Sequence, residues 1–171
     1  MTRHLLLLTA CLLGAPLAHA DELPTRKAGL WDIKMQIEGR DLPVSGIQQC
    51  TDADTDKLML SSFGNNGLQA CPEKHIVSNG NTITIDSVCN VAGGKATTHA
   101  VISGDFNAAY TVNVTSKQEG GRAQSHLPPG GEMHITMQAK WVGACAKGQR
   151  PGDMIMPGGI TMNIRDLSIK R

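Results

Sequence analysis

The sequence predicts a mainly β protein: a single antiparallel meander sheet that curves into an open barrel or half-barrel, with one short helix and two disulfide bonds. Apolar and polar residues alternate with a period of two in several segments, as expected of strands with one buried face. Glycine- and proline-rich stretches separate these segments, and the cysteines beyond the N-terminus are even in number. These observations favour antiparallel strands that cover one apolar interior.

The alternation is clearest in five segments, which are residues 31–37, 82–86, 110–115, 134–141 and 160–165. Asn79-Gly80 predicts a two-residue hairpin turn that places Ile76 opposite Ile83. The helix is predicted to begin after Thr51 or Asp52, because either side chain can cap the first turn and acidic residues follow. Gly64 and Gly67 are expected to end it.

The first twenty residues are predicted to be a cleaved signal peptide. Arg3 precedes a short apolar stretch, and Ala18-His19-Ala20 supplies small residues before the cleavage point. We therefore expect residues 21–171 to form one exported domain in the periplasm, with no transmembrane segment. Lipidation at Cys11 is the alternative, but cleavage there would leave an apolar core shorter than the roughly 7–15 residues that signal peptides use.

Four cysteines remain in the predicted mature chain: Cys50, Cys71, Cys89 and Cys145. In an oxidising compartment they are expected to form two disulfides, for which three pairings exist in principle. Strand parity places Cys89 and Cys145 on inward rows near strand ends, and Cys50 and Cys71 bracket the predicted helix. We therefore favour a Cys50–Cys71 bond together with a Cys89–Cys145 bond.

Charge and aromatic content narrow the range of partners. Without Arg3 the chain carries 15 basic residues (16 minus one) against 15 acidic ones. This balance gives no electrostatic attraction to nucleic acid, and the aromatic residues are too few for a base-stacking platform. The expected partner is an unidentified protein or a small apolar ligand, while the oligomeric state stays open. The ligand is predicted to contact an interior lined by Ile33, Met35, Val112 and Met137.

No motif for catalysis is present, and we predict no catalytic residue and no cofactor. The sequence lacks a Gly-x-Ser-x-Gly nucleophile elbow, and all four exported cysteines are expected to be bridged. A copper site is an alternative, because thioether and imidazole groups bind copper, and its candidate ligands are Met133, Met154, Met156 and His126. No regular spacing joins these four residues, and methionine also serves simply to fill core space. A hydrolytic or metal-dependent envelope enzyme is the remaining alternative.

The chain resembles the bacterial exported family known as domain of unknown function 3617. The shared features are Gly29-Leu30-Trp31 at the first strand, Gln49-Cys50 before an acidic helix, Cys71, Cys89, Ser103-Gly104-Asp105 at a turn, and Gly143-Ala144-Cys145. The resemblance implies an envelope protein with a β-rich domain, and it implies no activity and no catalytic residue. The sequence therefore predicts a non-catalytic exported domain that binds a partner or a small apolar ligand.

Overall fold

One antiparallel sheet of nine strands forms the body of the computed structural model, which describes residues 24–39, 44–65, 70–91, 94–120 and 131–168. The elements are β1 (Gly29–Ile37), β2 (Val44–Thr51), α1 (Ala53–Asn65), β3 (Ala70–Asn79), β4 (Thr82–Val91), β5 (Gly94–Asp105), β6 (Ala109–Gly120), β7 (Glu132–Gly143), β8 (Asp153–Ile155), β9 (Thr161–Asn163) and α2 (Ile164–Ser168). No helix in these ranges is both long enough and apolar enough to cross a membrane.

The strand order is β3-β4-β5-β6-β7-β1-β2-β8-β9. The five strands from β3 to β7 form a meander, and β1 then pairs with β7 on one side and with β2 on the other. The sheet is not closed, so β3 and β9 are its edges. The predicted mainly β fold with an open antiparallel sheet and two disulfides is thus confirmed. A second helix, α2, accompanies the predicted one.

The core lies on the face of the sheet that carries Trp31, here called the inner face. Its buried cluster consists of Trp31, Ile33, Ile47, Tyr110, Val112 and Ala139. These residues alternate with polar neighbours along their strands, and the cross-strand register places their side chains on one side. The period-two pattern in the sequence therefore corresponds to real burial in β1, β6 and β7.

Helix α1 begins where the sequence predicts, and Asp52 is its cap. The Asp52 carboxylate accepts hydrogen bonds from the backbone N–H of Thr55 at 2.8 Å and from the Thr55 hydroxyl at 2.7 Å. The Thr55 hydroxyl oxygen in turn accepts the backbone N–H of Asp52 at 2.9 Å. This reciprocal pair satisfies N–H groups that the first turn of a helix leaves without partners.

Both disulfides differ from the favoured pairing: Cys50 is bonded to Cys145, and Cys71 is bonded to Cys89. Cys89 does face inward as its parity predicts, but β5 and β6 separate its strand from β7. Neighbouring strands lie about 4.8 Å apart, so this gap exceeds the 4.4–6.8 Å that a disulfide spans between Cα atoms. Cys71 lies on β3, the direct neighbour of β4. The prediction failed because it used strand parity without the strand order.

Two further details of the predicted strands are corrected. The β3–β4 hairpin pairs Asn79 with Thr82, so its turn residues are Gly80 and Asn81, and Ile76 lies opposite Ile85. The last predicted strand is shortened to β9, with α2 following directly. Ile160 precedes β9 and is 65% exposed.

Strand β1 begins with Gly29 because a side chain does not fit at this position. Its φ of +132° is unfavourable for other residues, and a Cβ at this position would overlap the carbonyl oxygen of Gly143 and the indole nitrogen of Trp141. The close approach lets the Trp141 indole N–H donate to the carbonyl of Ala28 at 3.1 Å. The register between β1 and β7 shifts at this point, just after Leu30.

Acid is expected to destabilise the domain through Asp52 and Asp153. Hydrogen bonds from the backbone N–H of Thr55 and of Arg150, respectively, hold the pKa of each carboxyl below 3.8. Because the folded-state pKa is the lower one, this stabilisation is complete above pH 3.8 and is lost as the pH falls through the folded pKa. Urea unfolding at a series of pH values measures the effect.

The Asp52→Asn variant tests the assignment, since asparagine also caps helices but carries no charge to titrate. We expect its free energy of unfolding to fall less steeply in acid than that of the original protein. Asp54→Asn, at an exposed position in the same turn, is the matched control for losing one charge at this helix end. An Asp52→Asn profile parallel to that of the original protein would contradict the prediction.

Candidate functional site

A continuous strip of apolar side chains crosses the inner face away from the buried cluster. Six residues lie directly opposite one another on successive strands and define this apolar strip: Ile37, Ile135, Val114, Ala100, Ile85 and Ile76. All six are half-buried, whereas Ile33 and Val112 in the neighbouring rows are at most 8% exposed. The strip is thus in contact with solvent while the adjoining core is not.

A row of hydroxyl groups borders the apolar strip on its other side. Ser116, Thr98 and Ser87 lie directly opposite one another, and Lys74 continues the line at the edge strand β3. The hydroxyls of Thr98 and Ser116 are 3.2 Å apart and share a hydrogen bond. Lys74 is exposed, so a positive charge lies at the end of this hydroxyl row. The inner face therefore changes from apolar to polar over two residues along β3, β4, β5 and β6.

A buried polar cluster lies at the opposite end of the inner face, under α1. The Arg26 Nε donates to Asp56 Oδ1 at 2.6 Å, and the backbone N–H of Arg26 donates to Asp56 Oδ2 at 2.8 Å. Nη1 of the same guanidinium donates at 3.0 Å to both Gln49 Oε1 and Tyr110 Oη. Arg26 is 8% exposed and Asp56 is 1% exposed. The cluster is thus a hydrogen-bonded ion pair. It connects the segment before β1 to both α1 and the sheet.

Tyr110 takes part in this cluster as a neutral group. Burial raises the pKa of its phenol above the usual 10.0, although the adjacent Arg26 charge acts in the opposite direction. The phenol therefore keeps its proton at neutral pH, and its oxygen accepts the Arg26 hydrogen bond. Its ring packs at 5.4 Å from that of Trp31 and at 5.5 Å from that of Phe106. This arrangement stabilises the core and leaves Tyr110 without the features of a catalytic base.

The four residues predicted to contact a ligand lie together on the inner face. Met35, Met137 and Val112 are directly opposite one another in one row, and Ile33 is two residues before Met35 on β1. Ile33 and Val112 belong to the buried cluster, while Met35 and Met137 are half-buried. Their assignment as ligand contacts stays a prediction, and the two methionines lie between the core and the apolar strip.

The four residues predicted to bind copper are not all brought together. Met154 and Met156 lie on and directly after β8, whereas Met133 lies on β7 near the hydroxyl row. His126 lies outside the described residues. Within the described residues, no group of three or more His, Cys, Asp or Glu side chains is placed to hold a metal ion.

A line of mainly polar side chains crosses the outer face of the sheet. His75, Asp86, His99, Thr115 and His134 lie directly opposite one another on β3 to β7. His99 Nδ1 lies 2.7 Å from Asp86 Oδ1, and His134 Nε2 lies 3.0 Å from Glu132 Oε1. These are exposed pairs, which contribute little to stability.

A shallow depression of about 370 Å³ also lies on the outer face. Asp32, Lys34, Ser103, Thr111, Gln138 and Lys140 are among the side chains that line it. None of the residues predicted to contact an apolar ligand lines this depression. Its lining also includes Ala109, Tyr110 and Ala139, but the charged groups of Asp32, Lys34 and Lys140 make the inner face the better candidate for apolar binding.

Sequence reasoning missed the Arg26 cluster and the hydroxyl row for different reasons. Arg26 precedes the first strand, and its partner Asp56 is thirty residues away, so no local pattern links them. The hydroxyl row did have a signal: Ser87 lies between Ile85 and Cys89 in the inward-facing row of β4.

Comparison with known proteins identifies one match. The model of a family described as "Protein of unknown function (DUF3617)" matches residues 26–145. This range begins at Arg26 and ends at Cys145, so it includes the buried ion pair and all four disulfide cysteines. No curated protein and no solved structure matches the chain.

Proposed function

The chain belongs to the DUF3617 family, and we propose that it is a non-catalytic periplasmic binding domain that holds an amphipathic ligand with an apolar chain against the inner face. Residues 1–20 act in this proposal as the cleaved export signal, and residues 21–171 form the single exported domain. The two disulfides support export, because such bonds persist mainly outside the cytoplasm.

The half-buried apolar strip is the observation that carries this proposal. Six apolar residues directly opposite one another on six strands form a surface that water can reach and that an acyl chain can cover. Covering apolar area stabilises a complex by about 25 cal/mol per Å² before the costs of association are subtracted. The side chains are held on a hydrogen-bonded sheet, so little conformational entropy is lost on binding.

The hydroxyl row specifies the polar end of the ligand. Ser116, Thr98 and Ser87 offer hydrogen-bond donors beside the strip, and Lys74 adds a positive charge. A carboxylate or phosphate head group placed here receives charge-assisted hydrogen bonds while its chain lies on the strip. A fatty acid has this combination of a long apolar chain and one anionic end.

Changing Val114 to threonine is expected to weaken fatty-acid binding about tenfold, since a hydroxyl facing an apolar chain costs about 1.4 kcal/mol or more when it has no partner. Val114 and threonine are nearly equal in shape, so the fold is retained. Titration of the purified domain with dodecanoate, followed by calorimetry, measures the dissociation constant. Native mass spectrometry of protein isolated from its own periplasm shows whether a ligand copurifies.

Val101→Thr is the matched control. Val101 is also half-buried and lies on the adjacent strand β5, but its partner Asn113 places it on the outer face. Dodecanoate affinity is expected to be the same in this variant as in the original protein. Equal losses in both variants, or no dodecanoate binding to the original protein, would refute a ligand site on the inner face.

A further inference from the structure

The hairpin of β8 and β9 brings three methionines to one face of the sheet. Met154 lies directly opposite Met162, and Met156 follows Met154 by two residues, which returns it to the same face. Directly opposed residues have Cβ atoms about 5 Å apart, and residues i and i+2 are about 6.6 Å apart along a strand. Methionine side chains are long and flexible enough to bring three sulfur atoms together over such distances.

Backbone hydrogen bonds hold the three methionines in this arrangement. The backbone N–H of Met156 donates to the carbonyl of Ile160 at 2.8 Å, and that of Gly159 donates to the carbonyl of Met156 at 3.0 Å. The turn between them uses Gly158 and Gly159, both with positive φ, at +88° and +84°. The hairpin is also anchored to the sheet, because Met154 pairs with Gln49 on β2.

The three side chains combine anchoring with access from solvent. Met154 and Met156 are partly buried and pack against the core cluster, so their positions are restricted. Met162 is 38% exposed, and its neighbour Ile160 is 65% exposed. A site built from these three groups is therefore fixed on its inner side and open to an incoming ion on the other.

A fourth methionine near the hairpin is already engaged. Met59 Sδ accepts a hydrogen bond from Gln49 Nε2 at 3.1 Å and lies 3.7 Å from Arg26 Nη2, which also donates to it. A sulfur next to a buried guanidinium is a poor ligand for a cation, because the two positive charges repel each other.

We propose that Met154, Met156 and Met162 form a binding site for a soft monovalent metal ion, Cu(I) in the cell. Thioethers are uncharged and polarisable, and they select Cu(I) over harder divalent ions such as Zn²⁺ or Mg²⁺. The disulfide-bonded cysteines are not thiolates, so the soft ligands that the described residues offer are methionine thioethers. The site is distinct from the apolar strip and does not depend on the proposed fatty-acid function.

Titration with Ag⁺ in chloride-free buffer tests the site. Ag⁺ is a soft monovalent ion that needs no reductant, so the two disulfides stay intact. We expect one equivalent to bind and to shift the methyl NMR signals of Met154, Met156 and Met162, with those of Met133 and Met137 unchanged. Thioethers carry no proton, so the affinity should be equal at about pH 5 and about pH 7, unlike that of a histidine site with a pKa near 6.5.

Met162→Leu is the decisive variant, because its position is exposed and leucine keeps the apolar contacts. We expect the Ag⁺ affinity to fall at least about tenfold. Losing a residue that merely supports a metal ligand already lowers metal affinity by about that factor, and Met162 is itself a proposed ligand. Met133→Leu, on β7, is the matched control and should bind as the original protein does. An unchanged affinity in Met162→Leu, an equal loss in Met133→Leu, or weaker binding at pH 5 than at pH 7 would each overturn the proposal.

Discussion

Replacing Arg26 with methionine is expected to lower the free energy of unfolding by about 3–5 kcal/mol, because it leaves the carboxylate of Asp56 buried without its partner. The side chain of Asp56 is 2% exposed and receives both the Nε and the backbone N–H of Arg26. A methionine keeps much of the volume of the arginine stem but donates no hydrogen bond. Urea denaturation at neutral pH, followed by tryptophan fluorescence, measures the loss.

Lys27→Met is the matched control for this prediction. It removes a positive charge from the next residue, an exposed lysine whose ammonium lies 3.6 Å from the centre of the Trp141 ring. Such an exposed cation–π contact contributes about 0.5–1 kcal/mol, so a much smaller loss is expected. Equal losses of unfolding free energy at the two positions would show that burial of the ion pair does not cause the destabilisation.

The double variant Arg26→Met/Asp56→Asn measures how strongly the two side chains interact with each other, apart from their other contacts. Each single change leaves one buried charge unpaired, whereas the double change removes both charges. Asparagine can still accept the backbone N–H of Arg26 through its side-chain oxygen. The double variant is therefore expected to be less destabilised than the sum of the two single variants, and additive losses would argue against direct coupling.

Removing the Cys50–Cys145 bond by changing both cysteines to alanine is expected to cost about 4.7 kcal/mol, against about 3.2 kcal/mol for removing Cys71–Cys89 in the same way. The difference follows from the sequence separations of 95 and 18 residues, because the longer loop restricts the unfolded chain more. Chemical unfolding of the two double-alanine variants without reductant gives both values. Each variant is the control for the other, since both lose one bond and two sulfur atoms.

A larger cost for the short loop would contradict this prediction. It would mean that local packing between β3 and β4 outweighs the entropy of the unfolded chain. The long-range bond has a second structural role, since Cys145 follows β7 and Cys50 lies one residue before the end of β2, with β1 between these strands. The chain after Gly143 must therefore pass over the end of β1 to reach Cys50.

The fold class was readable from the sequence, because a sheet with one buried face imposes a period of two on each strand. Strands β1, β6 and β7 show this alternation, and the structure confirms their inward rows. Strand β2 was missed, since Gly46 and two consecutive glutamines interrupt its pattern. Strand β8 is three residues long, which is too short for any periodicity to be seen.

Pairings between strands that are far apart in the sequence could not be predicted from local sequence patterns. The position of β1 between β7 and β2 determines which cysteines form a disulfide. No sequence pattern near Cys50 or Cys145 indicates this strand order. The site predictions show the same limit. Met154 and Met156 were recognised as candidates from their residue type, but no sequence pattern linked Met162 to them, and only the β8–β9 register places it opposite Met154.

The insertion of β1 between β7 and β2 also dictates when this protein can fold. Leu30 pairs with Gly143, so β1 gains this neighbour only after β7, the last of the long strands to leave the ribosome, has been synthesised. Contacts of such sequence separation slow folding, because loop-closure entropy must be overcome before any of them forms. We therefore expect β1 and β2 to join the meander of β3 to β7 only after nearly the whole chain has been synthesised.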